Sequence, residues 1–143
     1  LQLSYHYNHT QWIESPEIAL EQKTIIIVED EPDTAEMFAE MLRLNGYRVL
    51  SSYGGAAAIA LISKEKADAV VLDLMMPDLS GLEVLSYMRR DPRLARVPVV
   101  IVSAKGLPAD VKQGLQAGAS LYLTKPVAYQ DFIDALEKAL QMD

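Results

Sequence analysis

Five short runs rich in aliphatic and β-branched residues, near 24–28, 48–52, 69–73, 97–102 and 120–124, alternate with amphipathic stretches. Each of those stretches is roughly 10–15 residues, long enough for a helix. A strand, a helix and a further parallel strand form a crossover unit, and right-twisted strands accept the right-handed crossover almost exclusively. Strict alternation therefore predicts a three-layer α/β sandwich, with a five-stranded parallel sheet flanked by five helices. Strand order does not follow from alternation alone.

The helical stretches can be read by their faces. Met37, Phe38, Met41, Leu42 and Leu44 suggest the buried side of a first helix that Asn45-Gly46 ends and that Asp33 is expected to cap. A second helix over 56–62 follows Gly54-Gly55, with no phosphate-binding glycine pattern. Leu82, Leu85 and Met88 mark the third helix, Val111 and Leu115 the fourth, which stops at Gly118, and Phe132, Ile133, Leu136 and Leu140 the fifth. No internal repeat interrupts this order.

The 143 residues suit one domain with a core large enough to fold without staples. Half are hydrophobic and 23% are charged, the composition of a soluble globular chain. No stretch approaches the roughly 18 apolar residues of a membrane span, and no signal peptide is visible, so a cytoplasmic location and no membrane contact are expected. Cysteine is absent, which excludes thiol catalysis, disulfides and zinc ribbons. A net charge of −7 argues against direct nucleic-acid binding, whose affinity comes from Lys and Arg neutralising phosphates.

Residues 1–23 differ from the rest, with Tyr5, His6, Tyr7, His9 and Trp12 crowded together and Ser15-Pro16 suited to start a short helix toward Lys23. They read as an N-terminal linker or appended segment, with the folded domain at 24–143. His6 and His9 stand at i, i+3 but have no third ligand at metal spacing, so a flexible or partner-packing tail is the simpler account. The first residue is Leu rather than Met, which suggests a piece of a longer chain.

The chemistry lies at the ends of the runs. The first ends in Glu29-Asp30, the third in Asp73, the fourth in Ser103 and the fifth in Lys125-Pro126. In open parallel sheets the carboxyl ends of the strands form the ligand edge. Carboxylates brought within about 4 Å repel by roughly 4 kcal/mol per pair at an effective dielectric of 20, so such a cluster calls for a cation. Hard oxygen ligands with room for water suit Mg²⁺. With a phosphoryl group beside the metal, Asp73 has the chemistry of a nucleophile, and Lys125 and Ser103 could stabilise the transferred oxygens. Each residue also has a plain reading: Asp73 as a turn or cap residue, Glu29 to Asp33 as an exposed acidic turn, Ser103 as a loop hydroxyl and Lys125 as a surface charge. Four such placements at successive strand ends make coincidence the weaker account.

The runs I-I-I-V-E-D-E, V-V-L-D-L-M-M-P-D-L-S-G, V-V-I-V-S-A and L-Y-L-T-K-P, with the spacing from Asp73 to Ser103 and on to Lys125, resemble the receiver domain of two-component response regulators over about residues 24–142. The resemblance implies a doubly wound, flavodoxin-like sheet of order 2-1-3-4-5. It implies Asp73 as phosphoacceptor, with Glu29, Asp30, Asp73 and the backbone carbonyl of Met75 around Mg²⁺. Ser103 becomes the switch hydroxyl and Lys125 the phosphoryl partner. Ala104 leaves space for a phosphodonor, Tyr122 is the aromatic switch, and Pro126 is a cis-proline that positions its loop. Tyr122 also fits ordinary partial burial of an amphipathic ring.

The implied function is a phosphorylation-dependent signalling switch, a regulatory phosphoacceptor rather than a turnover enzyme. A histidine kinase or phosphotransfer protein would donate the phosphoryl group. The output domain or effector would lie outside these residues, and a homodimer through the fourth-helix and fifth-helix face is compatible with the pattern. Glu29 for the commoner Asp, and Ser103 for Thr, are small departures, while Met75 offers no polar side chain to a hydrolytic water. Two other functions fit less of the pattern. One is a receiver-like interaction module working without phosphorylation. The other is a metal-dependent aspartate-nucleophile phosphatase, which lacks its second Asp because Met75 holds that position.

Overall fold

The computed structural model describes residues 5–7, 12–14 and 22–142. Two three-residue strands, β1 (Tyr5–Tyr7) and β2 (Trp12–Glu14), pair antiparallel as a sheet of their own. The sequence reading assigned no strand there, although aromatic and β-branched residues favour one. The helix expected after Ser15-Pro16 and the histidine pair that includes His9 fall outside the described residues.

The remaining elements alternate strictly: β3 (Thr24–Val28), α1 (Pro32–Leu44), β4 (Arg48–Ser52), α2 (Gly55–Lys64), β5 (Ala69–Leu72), α3 (Gly81–Arg90), β6 (Val99–Ser103), α4 (Pro108–Gln116), β7 (Leu121–Thr124) and α5 (Tyr129–Leu140). The five-stranded sheet has the order β4-β3-β5-β6-β7 and is parallel throughout. Counting its strands alone, this is the expected 2-1-3-4-5. The order reverses between β3 and β5, the two strands that deliver the acids.

Period-two alternation divides the core between the two sheet faces. Ile25, Ile27, Val71, Val100 and Val102 pack with Phe38, Leu42, Phe132 and Leu136 of α1 and α5. Ile26, Val28, Val70, Leu72, Val99 and Ile101 pack with Ile62, Val84, Leu85 and Met88 of α2 and α3. Burying an aliphatic side chain of this size contributes about 1.5–3 kcal/mol, so these continuous apolar strands are the main source of stability. Phe38 and Phe132 meet at 4.7 Å between ring centroids and tie α1 to α5 across one face.

Three local expectations change. The N-cap of α1 is Glu31, whose carboxylate accepts from the N–H groups of Asp33 at 3.3 Å and Thr34 at 2.7 Å, while Asp33 sits inside the first turn after Pro32. The buried stripe of α1 is Ala35, Phe38, Ala39 and Leu42; Met37 and Leu44 are exposed. In α4, Leu115 is 44% exposed and the buried residue is Gly114. A Cβ at Gly114 would lie 2.8 Å from Cδ2 of Tyr122 and 2.9 Å from Cδ1 of Ile101, so this helix rests on the sheet through bare backbone. The signals at Asn45-Gly46 and Gly118 hold: both glycines have positive φ, 87° and 112°. No described helix is long and apolar enough to cross a membrane.

Candidate functional site

The acid-bearing residues arrive directly from the sheet. β3 runs straight into Glu29 and Asp30, and β5 into Asp73, whose N–H donates to the Val28 carbonyl at 2.9 Å and so continues the ladder one residue past the strand. Glu29 and Asp73 are buried and Asp30 is half-buried. One oxygen from each of the three carboxylates lies within 4.8 Å of the others. Burial, followed by the neighbouring Glu29 carboxylate, holds the Asp30 carboxyl above its ordinary range.

Lys125 reaches this cluster from the end of β7. Its ammonium forms an ion pair with Glu29 and stands 3.6 Å from Oδ2 of Asp73. Burial, the largest single influence, pulls this ammonium down, but the Glu29 hydrogen bond and the Asp73 and Glu29 charges outweigh it and leave Lys125 above the usual lysine range. Pro126 follows in a cis peptide with Lys125.

Ser103 closes β6 and is fully buried, and its hydroxyl oxygen accepts from the Lys105 N–H at 3.2 Å. The Tyr122 hydroxyl donates to the Lys105 carbonyl. The two residues therefore hold opposite sides of one residue's backbone in the loop between β6 and α4. Ala104 is exposed in that loop, and Tyr122 is half-buried against Gly114. Burial pushes the Tyr122 phenol up.

Two residues that shape this edge escaped the sequence reading. Gly81 begins α3, where a Cβ would fall 2.2 Å from the Asp73 carbonyl oxygen. Any side chain there would displace the backbone of Asp73. A glycine inside the first turn, after a good Ser80 cap, was a visible sign of close approach. Asp78 accepts from the N–H groups of Gly55 and Ala56 across the molecule, and Gly54-Gly55 leave room for it. The start of α2 without Ser, Thr, Asp or Asn was the available signal that its cap comes from elsewhere.

The residues fit a divalent cation: three crowded carboxylates, one already held above its ordinary range, offer hard oxygen donors beside the exposed Met75 loop. Their only described counter-charge in direct contact is Lys125.

The family model of the response regulator receiver domain matches residues 25–137. The chain is 39% identical over 119 residues to the "Probable transcriptional regulatory protein TcrX" of Mycobacterium tuberculosis, covering 82% of this chain and 50% of TcrX. It is 36% identical over 119 residues to the phosphate regulon transcriptional regulatory protein PhoB of Pseudomonas aeruginosa, covering 83% and 52%. The chain thus spans about half the length of these two relatives. Among solved structures, the receiver domain of the sensor histidine kinase PA1611 of Pseudomonas aeruginosa superposes with a TM-score of 0.78 at 30% identity, covering 84% of this chain and 98% of that one. That structure is described with a magnesium ion coordinated in its active-site cleft. With the fold, the strand-end site and these matches in agreement, the chain belongs to the response regulator receiver domain family of two-component signalling.

Proposed function

We propose that this domain is a Mg²⁺-dependent phosphoacceptor switch, with Asp73 taking a phosphoryl group from a histidine kinase or phosphotransfer protein. The observation that carries the reading is the juxtaposition of a buried Asp73 with the Glu29 and Asp30 carboxylates and the Lys125 ammonium, each supplied by a strand end. The PA1611 receiver, with magnesium in its cleft, supports the same choice of cation.

In this reading Glu29, Asp30, Asp73 and the Met75 carbonyl hold Mg²⁺. When bound, the metal neutralises carboxylate and phosphoryl charge so that an anionic donor can approach. An oxygen of Asp73 attacks phosphorus and forms the acyl-phosphate bond. The P–N bond of a phosphohistidine, or the P–O bond of acetyl phosphate, breaks with its electron pair leaving on the donor. Lys125 shifts from Glu29 and Asp73 toward the transferred oxygens, a charge-assisted contact. Exposed Ala104 leaves the approach open, and Pro126 positions the lysine loop.

Ser103 must release the Lys105 N–H to reach the phosphoryl group. That exchange loses one neutral hydrogen bond, about 1 kcal/mol, for a stronger one to an anion. Because Tyr122 holds the carbonyl of the same residue, rearrangement there frees the ring to turn inward. Moving a two-state equilibrium from 1:99 to 99:1 takes about 5.5 kcal/mol of differential stabilisation, the scale that several such bonds reach together. The face of α4, β7 and α5 then differs between the two states and is read by an output domain or effector.

Intact mass after incubation with acetyl phosphate tests the reading. One phosphoryl adduct is expected with Mg²⁺, none without it, and none in Asp73→Asn. Equal labelling of Asp73→Asn would remove Asp73 from this role. No adduct under conditions that label a control receiver would favour an interaction module working without phosphorylation.

A further inference from the structure

The first N–H groups of a helix need acceptors, and α2 has no cap of its own: its N-cap is Gly54, which has no side chain to offer. The acceptor comes from the loop between β5 and α3. Oδ1 of Asp78 accepts from the Gly55 N–H at 3.1 Å, and Oδ2 accepts from the Ala56 N–H at 3.2 Å. These bonds hold the Asp78 carboxyl below the usual carboxylate range.

The two glycines make the approach possible. A Cβ at Gly55 would lie 2.5 Å from the Leu79 carbonyl oxygen, and one at Gly54 would lie 3.2 Å from Oδ2 of Asp78. The β4–α2 turn is itself tied to the acid pair: the Glu29 N–H donates to the Ser52 carbonyl at 3.0 Å, and the Ser52 hydroxyl to the Gly54 carbonyl at 3.0 Å. Hydrogen bonds thus lead from the backbone of Glu29, through the β4–α2 turn, to Asp78.

Met75 lies between two fixed points of its loop. On the near side, the Asp73 N–H donates to Val28 and the Gly81 N–H to the Leu74 carbonyl at 3.1 Å. On the far side stands Asp78. Met75 itself is 52% exposed, and its N–H donates to Oδ1 of Asp73 at 3.3 Å.

We propose that Asp78 is a positioning residue for the cation site: by capping α2 from the β5–α3 loop, it holds the Met75 backbone in register with the Glu29, Asp30 and Asp73 carboxylates. The assignment rests on the Mg²⁺-dependent phosphoacceptor reading and adds a residue that acts through the loop and touches neither cation nor phosphoryl group. It predicts a penalty in Mg²⁺ affinity, because a freed loop must be ordered again each time the ion binds.

The test compares wild type, Asp78→Ala and Asp78→Asn in the full chain, with Mg²⁺ Kd by titration calorimetry, Tm without Mg²⁺, and the rate of adduct formation from acetyl phosphate at saturating Mg²⁺. Asp78→Ala is expected to weaken Mg²⁺ binding by about three- to tenfold, the size of one capping interaction expressed as a binding ratio. Its labelling rate should approach wild type once Mg²⁺ saturates. Asn keeps a capping oxygen, so Asp78→Asn should recover Kd to within about twofold of wild type.

Two results overturn the proposal. An Asp78→Ala protein with lowered Tm but wild-type Mg²⁺ Kd would leave Asp78 a structural cap alone. An Asp78→Asn protein as weak as Asp78→Ala but with wild-type Tm would assign the effect to charge, since the cap is then kept and only the charge is lost. If wild type binds Mg²⁺ with the expected series of Kd values but Asp73 takes no phosphoryl group, the phosphoacceptor reading fails and the positioning role stands. If wild type binds no Mg²⁺, both fall.

Discussion

Lys125 is the residue on which the charge balance of the site turns. Its ammonium is the direct counter-charge to Glu29 and Asp73, and its pKa in the folded protein lies above the ordinary lysine value. A group raised on folding contributes stability that is fully present below its unfolded pKa, about 10.4 for lysine, and loses it as pH rises through the folded value. Tyr122, also raised, acts in the same direction from about pH 10 upward. Urea unfolding without Mg²⁺ should therefore show wild-type stability falling as pH rises above about 10. Lys125→Met should show a smaller fall, and at pH 7 it should already be less stable by roughly 1–3 kcal/mol, because two buried carboxylates lose their charged partner. A variant with the wild-type pH slope would assign the alkaline loss to the raised tyrosines, Tyr122 and Tyr47. The strand-end residues themselves were legible in the sequence, since each is fixed by its place directly after an apolar run. Gly81 and Asp78 were not, because their roles depend on backbone segments that approach only in the folded molecule.

At the scale of elements, the five strands of the parallel sheet were read within about two residues and their helices by type, whereas β1 and β2 were missed and two helical faces were misassigned. In α1 the exposed Met37 and Leu44 flank the true stripe, and apolarity alone does not separate a buried position from a neighbouring exposed one. In α4 the buried position is a glycine, invisible to any search for apolar side chains. That glycine carries a prediction whose sign runs against helix propensity. Gly→Ala inside a helix ordinarily gains about 1 kcal/mol. At Gly114 the new methyl would press on the Tyr122 ring and on the wholly buried Ile101, an overpacking that costs typically 1–3 kcal/mol. Gly114→Ala should therefore be neutral to destabilising by about 2 kcal/mol, and it should perturb the Tyr122 ring resonances together with the Lys105 amide, whose backbone that ring holds. A clear gain in Tm with unchanged Tyr122 signals would show that α4 moves aside freely.

Across the whole molecule, charge follows the direction of the helices. The first turns of α1, α3, α4 and α5 carry Asp33, Glu83, Asp110 and Asp131, and the last turns of α1, α2, α3 and α5 carry Arg43, Lys64, Arg89 with Arg90, and Lys138. Each charge suits its end of the helix dipole. Since helices run back against the strands, the acidic ends gather at the edge that bears Asp73 and the basic ends at the opposite edge. Negative charge thus gathers at the edge that bears Glu29, Asp30 and Asp73. Raising ionic strength from about 0.01 to 0.15 M shortens the screening length from roughly 30 to 8 Å, so Mg²⁺ affinity measured in the two buffers should fall about three- to tenfold. A salt-independent Kd would restrict the attraction to the ligand carboxylates. This polarity was present in the sequence but unreadable until the helix ends were placed. Cohesion is unevenly shared as well. Because α4 gives the interior only Gly114, peeling it from the sheet exposes little apolar surface, and such partial opening lies far below the cost of global unfolding. Native-state hydrogen exchange should therefore find the α4 amides opening more readily than those of the sheet, slack confined to one flank of the domain.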